Sequence, residues 1–200
     1  MNTPQLTGIE QISDGWIKKY VLRYEMADGS EHLYEAASRK GPDAYRALLE
    51  RNARGEKPRS ADAICIVAKT PRDTLVMIRE FRYPLNSWCI ALPAGLLDPG
   101  ESIAECAARE LQEETGYAPI AGTSVQPLPQ AGYSSTGMSD ETVHVVFVEA
   151  ERTSEAHRER HELIEVFELP IANVRAFLDE NELPIGTRAQ LILELFAAQA

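Results

Sequence analysis

Hydrophobic and polar positions alternate in the first part of the chain and then change to helical spacing. Residues 14–27 alternate as a strand does, the Asp-Gly-Ser run at 28–30 favours a tight turn, and residues 31–37 predict the returning strand of a β-hairpin. After the Gly-Pro pair at 41–42, apolar side chains recur at helical spacing up to residue 54. Two strands alone are marginal in water, so this hairpin is expected to pack on the main domain or on a second copy of the chain.

Strand and helix patterns interleave in the remaining residues. Helical spacing predicts one helix within residues 95–117 and two more at about 170–181 and 185–198. An interleaved order indicates a mixed α/β fold. We therefore divide the chain into an N-terminal hairpin with its helix (1–58) and an α/β domain (59–200). The predicted strands of that domain are 61–68, 74–83, 88–92, 121–131, 142–150 and 163–169.

The most specific pattern is the segment GLLDPGESIAECAARELQEETGY at residues 95–117. Its Asp-Pro-Gly run at 98–100 is a turn sequence, because proline sets φ and glycine tolerates positive φ. Ser102 and Glu105 then form a capping box, which begins a helix. Gly116 stands where a helix ends in a left-handed residue. The segment therefore predicts a loop, a helix of about four turns and a stop.

Three glutamates lie on or beside the face of this helix that is expected to pack inward. At about 100° per residue, Glu110 and Glu114 are about 40° apart, and Glu113 borders them. Carboxylates in this position repel one another and are costly to desolvate, and a divalent cation removes both problems. Their hard oxygen ligands suit Mg²⁺, and Mn²⁺ is also possible. On these residues alone, an acidic helix end that faces solvent is an equal alternative.

The spacing of the whole segment resembles the Nudix box. Tyr117 stands where a small aliphatic residue is usual, which is a mild variation. The resemblance implies an α/β/α sandwich with a mixed sheet and the hydrolysis of a nucleoside diphosphate linked to another group. The residues at the seven fixed positions of the box are Gly95, Glu101, Arg109, Glu110, Glu113, Glu114 and Gly116.

With a hairpin ahead of the core, the chain resembles the ADP-ribose pyrophosphatase branch of the Nudix enzymes. That branch pairs the hairpins of two subunits, so the resemblance implies a homodimer. It also implies that the Ala94 carbonyl binds metal together with Glu110 and Glu114, and that Glu113 is a further ligand or supports the ligands. Glu113 and Glu114 are thus both metal-binding and catalytic residues in this interpretation. A structural role is expected for Gly95, Glu101, Arg109 and Gly116.

A loop downstream of the box offers a general base. Residues 135–141 (STGMSDE) resemble the S-P-G-x-x-x-E loop of the family, with Thr136 in place of the proline. The resemblance implies that Glu141 helps to bind metal or takes the proton of the attacking water, and it places Gly137 and Met138 beside the substrate. The alternative is a solvated carboxylate at the start of a strand.

The resemblance also implies substrate contacts outside the box. Trp16 and Tyr34 match positions that stack the adenine, one ring from each subunit, and a flat aromatic with a polar edge suits that task. Glu35 is expected to bond the edge of the base, while Arg39 and Arg82 match basic positions that contact the phosphates. The alternative for both aromatics is core packing of the hairpin.

Composition limits the partners and the cellular compartment that we expect. A formal net charge of −11 argues against a nucleic-acid surface but permits an anionic substrate in a site with its own cations. Three cysteines without a pattern indicate free thiols in a reducing compartment. The sequence contains no apolar run of about 18 residues and no basic, then apolar, leader, so we expect a cytoplasmic protein without membrane contact.

Together with the acidic face of the box helix, the resemblance implies Mg²⁺-dependent hydrolysis of the pyrophosphate bond of ADP-ribose, to AMP and ribose 5-phosphate, or of a closely related nucleotide sugar. Ala91 stands where many relatives carry a glutamate two residues before the proline, which leaves the sugar preference open. The alternatives are a hydrolase of another nucleoside diphosphate sugar, such as GDP-mannose or UDP-glucose, and a Nudix module that binds a nucleotide without cleaving it.

Overall fold

The computed structural model describes residues 3–58, 60–158 and 160–199. The α-helices in these residues are α1 (Pro42–Ala53), α2 (Ile103–Thr115), α3 (Val174–Glu180) and α4 (Thr187–Ala197). The strands are β1 (Gln5–Gln11), β2 (Lys18–Glu25), β3 (Glu31–Ser38), β4 (Ala63–Lys69), β5 (Thr74–Arg82), β6 (Ser87–Ala91), β7 (Ala94–Leu96), β8 (Tyr117–Pro119), β9 (Gln126–Pro127), β10 (Gly132–Tyr133), β11 (Thr142–Arg152) and β12 (Ile164–Pro170). None of these helices combines the length and the apolar character needed to cross a bilayer.

The described chain divides into two compact units. The first contains the described residues up to Ala61 together with Ala131–Val143, and the second contains Asp62–Gln130 and His144 to the end of the described chain. The predicted extension over 1–58 therefore shares its unit with a later segment. The domain boundary near residue 58 stays a prediction.

The first unit is a three-stranded antiparallel sheet covered by a helix. Its strand order is β1-β2-β3. Tyr20 and Leu22 of β2 pack against Tyr45 and Leu48 of α1, and the rings of Tyr20 and Tyr45 are 4.8 Å apart. The predicted hairpin is thus correct, but it gains a third strand, β1, that the sequence pattern did not predict. These contacts give the hairpin an apolar partner within its own unit.

A later segment completes the first unit. β10 pairs with the first two residues of β11, and Ala37 at the end of β3 forms a parallel bridge with Ser139. The Ala37 N–H donates to the carbonyl of Met138 at 2.8 Å. Residues 133–141 are therefore attached along the end of β3 by backbone contacts.

The second unit contains a mixed sheet that is covered on both faces. β11, β4, β5 and β12 are neighbours in that order, β6 pairs with β5, β7 with β4, and β8 and β9 pair with β11. Ile64, Ile66 and Val76 form a core with Ala107 and Leu111 of α2. The residues on the other face are buried as well, among them Val67, Leu75 and Met77. The predicted α/β/α sandwich with a mixed sheet is confirmed.

Helix α2 begins and ends where the local sequence predicts. Both hydrogen bonds of the capping box between Ser102 and Glu105 are present. Gly116 has φ 76°, and a Cβ there would lie 2.3 Å from the carbonyl oxygen of Ser154. Tyr117 is buried and donates its hydroxyl to Glu168 of β12. That hydrogen bond gives the aromatic residue a role that an aliphatic residue at this position lacks.

Two predictions of secondary structure are wrong in part. The strand predicted over 121–131 is mostly loop, since only Gln126–Pro127 pairs as β9. Prolines at 127 and 129 remove backbone donors, which explains why a longer ladder does not form. The helix predicted from residue 170 starts as a 3₁₀ turn, Ile171–Asn173, and becomes α-helical at Val174.

Candidate active site

The glutamates of α2 differ in their exposure as the helical face predicts. Glu114 is 5% exposed, the Glu110 side chain is 14% exposed and the Glu113 side chain is 47% exposed. Two carboxylates one turn apart are therefore turned toward the sheet, and the third lies at the edge of that face. The alternative of a solvated acidic helix end is wrong for Glu110 and Glu114.

Glu114 is held beside the start of β7. Its Oε2 accepts the backbone N–H of Ala94 at 3.1 Å. Burial is the main reason that the pKa of Glu114 lies well above its ordinary value; the Ala94 N–H opposes the rise, and the charges of Glu110, Glu80 and Glu162 add to it. Glu114 is therefore a carboxylate whose charge the protein alone compensates poorly.

Glu110 occupies the space that the box glycine leaves open. A Cβ on Gly95 would lie 1.9 Å from Cδ of Glu110, so no other residue fits at position 95 with this carboxylate in place. Burial raises the pKa of Glu110, Arg109 opposes the rise, and the charges of Glu113 and Glu162 add to it. The glycine of the box thus leaves space for the carboxyl group of Glu110, which lies two turns into the helix.

Arg109 links the loop of the box to its helix. Its Nε donates to Glu101 Oε1 at 2.8 Å, and its NH1 donates to Glu110 Oε1 at 2.7 Å. The NH2 group donates to the carbonyl of Leu96 at 3.1 Å. Hydrogen bonding to Arg109 is the main cause that lowers the pKa of Glu101 to about 2. Arg109 therefore holds two carboxylates and the backbone just after Gly95.

Two further acidic residues of the second unit interact with these carboxylates and were not predicted from the sequence. The charge of Glu162, in the segment before β12, raises the pKa of Glu110 and Glu114, and that of Glu80 on β5 raises the pKa of Glu114. Strand alternation in β5 could have indicated Glu80, two residues before Arg82. Glu162 lies in a charged run without local signal, so only the tertiary fold identifies it.

The described acidic residues fit a metal ion in their chemistry, although their side chains are not gathered as in a formed metal site. Within the described residues, no three histidine, cysteine, aspartate or glutamate side chains are gathered closely enough to hold one in the conformation shown. Glu110 is turned to Arg109, and Glu114 to the Ala94 N–H. Their chemistry nevertheless fits a divalent cation, because two desolvated carboxylates that repel each other supply hard oxygens, and Gly95 lets the Glu110 carboxylate lie against its backbone.

Five of the expected substrate and catalytic residues come together in the first unit. The Tyr34 hydroxyl donates to the carbonyl of Gly137 at 2.7 Å, and Met138 is bonded to β3 through its carbonyl. Arg39 NH1 lies 2.8 Å from Glu141 Oε1. Ser134 Oγ also donates to Glu141, at 2.6 Å. The expected phosphate ligand and the expected base therefore form an ion pair with each other.

The remaining expected substrate residues are more dispersed. Trp16 lies on the loop before β2 and is 72% exposed, so the alternative of a core role is wrong for it. Glu35 forms an exposed ion pair with Lys19 at 2.7 Å. Arg82 belongs to the second unit, at the end of β5. Each of these side chains is available at the surface of its own unit.

A cavity of about 450 Å³ lies inside the first unit, between its sheet, α1 and residues 133–140. Most of its lining is apolar or aromatic. Tyr34 and Met138, both expected near the substrate, take part in that lining, together with Leu22, Tyr24, Tyr45 and Tyr133.

Comparison with known proteins agrees with these features. Residues 57–188 match the family described as NUDIX domain. The ADP-ribose pyrophosphatase of Bacillus subtilis (strain 168) is 34% identical over 122 residues, which are 60% of this chain and 64% of that protein. The ADP-sugar pyrophosphatase of Mus musculus is 32% identical over 148 residues, 72% of this chain and 60% of that protein. The chain thus spans about three fifths of the length of these curated relatives.

A solved structure shares the fold. The crystal structure of an ADP compounds hydrolase superposes with a TM-score of 0.68 over 90% of this chain and 85% of that chain. The sequence identity is 21%, so the similarity concerns the fold alone.

Proposed function

The chain belongs to the Nudix family, and we propose that it hydrolyses the pyrophosphate bond of ADP-ribose, to AMP and ribose 5-phosphate, with Mg²⁺ as the divalent cation. The observation that carries this proposal is the pair of desolvated carboxylates, Glu110 and Glu114, on the inward face of the box helix. The names of the two curated relatives, an ADP-ribose pyrophosphatase and an ADP-sugar pyrophosphatase, support the substrate class.

Glu110 and Glu114 are the proposed metal ligands, with the Ala94 carbonyl beside them and Glu113 at the edge of the site. A divalent cation, when bound, neutralises charge on the diphosphate oxygens and acidifies the attacking water. Arg109 keeps Glu110 in place through its hydrogen bond. Members of this family generally use divalent metal ions, and the choice of Mg²⁺ over Mn²⁺ is part of the proposal.

The general base has two candidates. Glu141 stays a prediction, and its carboxylate is engaged by Arg39 and Ser134 in the first unit. Glu162 lies in the second unit, close enough to Glu110 and Glu114 for their charges to interact. A base must reach the water that the metal site activates. Proximity to the proposed ligands therefore favours Glu162 as the base, and Glu141 is the alternative.

Substrate recognition is proposed for the first unit and for Arg82. Trp16 and Tyr34 stack the adenine, Glu35 bonds its edge, and Arg39 and Arg82 contact the phosphates. The exposed position of Trp16 supports a role in binding. Gly137 and Met138 follow from the same resemblance, and their attachment to β3 gives them a fixed place beside Tyr34.

A homodimer is part of the proposal. Exposed apolar side chains of the first unit supply a surface for a second copy, and they include Ile12, Trp16, Ile17 and Leu33. The three cysteines are free and buried, which supports a reducing compartment such as the cytoplasm.

Ala91 favours a second candidate function, the hydrolysis of another nucleoside diphosphate sugar. The resemblance implies a glutamate at this position in many members of the family, and its absence here leaves the sugar preference open. GDP-mannose and UDP-glucose are therefore included as test substrates. A module that binds a nucleotide without cleaving it has no evident need for the acidic pair on α2.

The test is a panel of nucleotide sugars with and without Mg²⁺. Purified chain is incubated with ADP-ribose, GDP-mannose and UDP-glucose, and the products are separated by ion-exchange chromatography. The proposal expects AMP and ribose 5-phosphate from ADP-ribose, only with the metal present. Faster cleavage of another nucleotide sugar would support the second candidate, and tight ADP-ribose binding without any product would support the binding module.

A further inference from the structure

The loop between β1 and β2 carries large apolar side chains at the surface of the first unit. It consists of residues 12–17, and the exposed fractions of Ile12, Trp16 and Ile17 are 50%, 72% and 60%. Holding a loop in one conformation costs conformational entropy. Burial of these three side chains does not offset that cost, so the contacts that fix the loop lie elsewhere.

Hydrogen bonds from the flanking strands hold the first half of this loop. The Ile12 N–H donates to the carbonyl of Lys19 at 2.8 Å, and the Lys19 N–H donates to Ser13 Oγ at 2.9 Å. Gln11 is the last residue of β1, and its Nε2 donates to the carbonyl of Ser13 and to Oδ1 of Asp14, both at 3.0 Å. The loop is therefore closed from both of its ends.

Lys18 ties the second half of the loop to the chain that follows β3. Its Nζ donates to the carbonyl of Gly15 and to the carbonyl of Arg39, both at 3.3 Å. An ammonium group has three donors, so one lysine can join two backbone segments. Gly15 directly precedes Trp16. Lys18 therefore fixes the backbone beside Trp16 relative to Arg39.

Tyr20 adds a buried contact at the same place. Its side chain is fully buried, and its ring lies 4.8 Å from the ring of Tyr45. The Tyr20 hydroxyl donates to the carbonyl of Lys40 at 2.7 Å, and Oε1 of Gln11 lies 3.3 Å from that hydroxyl. Because Gln11 also holds the loop, Tyr20 connects the loop to the residue next to Arg39.

We propose that Lys18 and Tyr20 are positioning residues, which hold the loop of Trp16 as a preformed platform for the flat base of a nucleotide. This role rests on the proposed function for the stacking by Trp16. A platform that is ordered before binding loses less conformational entropy when the base arrives. A loop that only joined β1 to β2 would need neither an exposed indole nor anchors on the backbone of residues 39 and 40.

The test follows AMP binding by the fluorescence of Trp16, without any metal. The chain has two tryptophans, so Trp88→Phe leaves Trp16 as the single reporter, and this variant is the reference. In that background Lys18→Met removes the ammonium group but keeps most of the side chain. Lys69→Met is the matched control, because the ammonium group of Lys69 forms an ion pair with Asp73 at the surface.

Lys18→Met is expected to weaken AMP binding about 3-fold to 10-fold, since ordering a side chain on binding has an effect of this size. Time-resolved anisotropy should show a larger amplitude of nanosecond motion for the Trp16 indole, the timescale of a loop without its anchor. Lys69→Met should match the reference in both measurements. An unchanged affinity of Lys18→Met, or weaker binding without added motion of the indole, would overturn the role. So would a reference whose fluorescence does not respond to AMP.

A second variant allows refutation even if Lys18→Met folds poorly. Tyr20→Phe removes only the hydroxyl that contacts Lys40, and Tyr45→Phe removes a hydroxyl from the ring beside it in the same core. Tyr20→Phe is expected to weaken AMP binding and to increase the motion of the indole, whereas Tyr45→Phe should match the reference. Equal effects of the two variants, or no effect of either, would contradict the role.

The outcome is separable from that of the proposed function. The role predicts that Lys18→Met raises KM for ADP-ribose and leaves kcat unchanged, as a loss of uniform binding does. A parent that cleaves ADP-ribose with the KM and kcat of Lys18→Met refutes the positioning role alone. A chain whose AMP binding is weakened by Lys18→Met, but that cleaves no nucleotide sugar, refutes the function and leaves the role of Lys18 intact.

Discussion

The backbone N–H of Ala94 donates to Oε2 of Glu114 at 3.1 Å, so that the residue before the box glycine is joined to the last glutamate of the box helix. The carboxylate is buried, and its pKa lies well above the ordinary value mainly because of that burial. Replacing the charged group should therefore affect metal binding more than folding.

We expect Glu114→Gln to lower turnover of ADP-ribose by about 100-fold or more, since removing a ligand has a larger effect than the 10–100-fold typical of supporting residues. Its melting temperature should equal or exceed that of the parent, because a neutral amide is less costly to bury and can still accept the Ala94 N–H. Product formation and thermal unfolding measure the two effects. Glu151→Gln, at an exposed position of β11, is the control, and near-normal turnover by Glu114→Gln would refute the assignment of this ligand.

Gly95→Ala tests the space beside Glu110. The added Cβ would overlap the Glu110 carboxyl group, with 1.9 Å to its Cδ. Because that group is the flexible end of a side chain, we expect a small change in melting temperature but a turnover reduced about 10-fold to 100-fold. Gly132→Ala serves as the control, since a Cβ there meets nothing within 4 Å. An equal turnover of the two variants would show that the position of Glu110 is unimportant.

Arg109→Gln should destabilise the protein in a pH-dependent manner. At pH 7 the free energy of unfolding is expected to fall by about 1.5–3 kcal/mol, the range for hydrogen bonds to charged groups. The pKa of Glu101 is lowered to about 2, chiefly by its hydrogen bond to Arg109. A depressed carboxyl pKa stabilises the fold fully above the unfolded value of 4.5 and ceases to do so as the pH falls through about 2.

The difference in free energy of unfolding between the parent and Arg109→Gln should therefore be largest above pH 5 and should decrease steadily toward about pH 2. Urea unfolding of both proteins at a series of pH values measures it. A difference that stays constant across this interval would mean that the Arg109–Glu101 contact does not control the titration of Glu101.

The two candidate bases can be separated by matched substitutions. Glu162→Gln is expected to lower kcat about 100-fold, the usual contribution of a general base, whereas Glu141→Gln should mainly loosen the segment that Arg39 holds and raise KM. Steady-state kinetics at several pH values distinguish the two. A large loss of kcat in Glu141→Gln, with Glu162→Gln nearly normal, would return the assignment to Glu141.

The homodimer makes a prediction about the exposed sheet of the first unit. Leu33→Asp replaces an exposed apolar side chain of β3, which lies opposite Arg23, by a carboxylate. It should convert a dimer into a monomer in multi-angle light scattering, with the circular dichroism of the parent. The parent itself should have twice the mass of the chain at micromolar concentration. If the parent is monomeric, the adenine site between two subunits must be abandoned.

Local sequence determined the box helix in detail. The capping box of Ser102 and Glu105 and the left-handed Gly116 follow from contacts between residues close in the chain, and the shared face of Glu110 and Glu114 follows from helical periodicity. Such contacts depend on dihedral preferences and helical periodicity, which a single sequence carries. The interleaved elements of an α/β fold could be predicted for the same reason.

Contacts between distant segments could not be predicted in this way. The ion pair of Arg39 with Glu141 depends on how residues 133–141 lie along β3. β1 forms a strand because its backbone pairs with the edge of β2. The approach of Glu80 and Glu162 to Glu114 depends on the register of β5 and on the path of the chain before β12.

The sequence by itself thus determined the acidic helix, its boundaries and the family of the protein, because patterns of residues close in the chain specify these features. Only the tertiary structure decided which other carboxylates face that helix and which expected site residues neutralise each other. The physical reason is that register and loop path are selected by the packing of the whole chain, and a pattern of adjacent residues does not contain them.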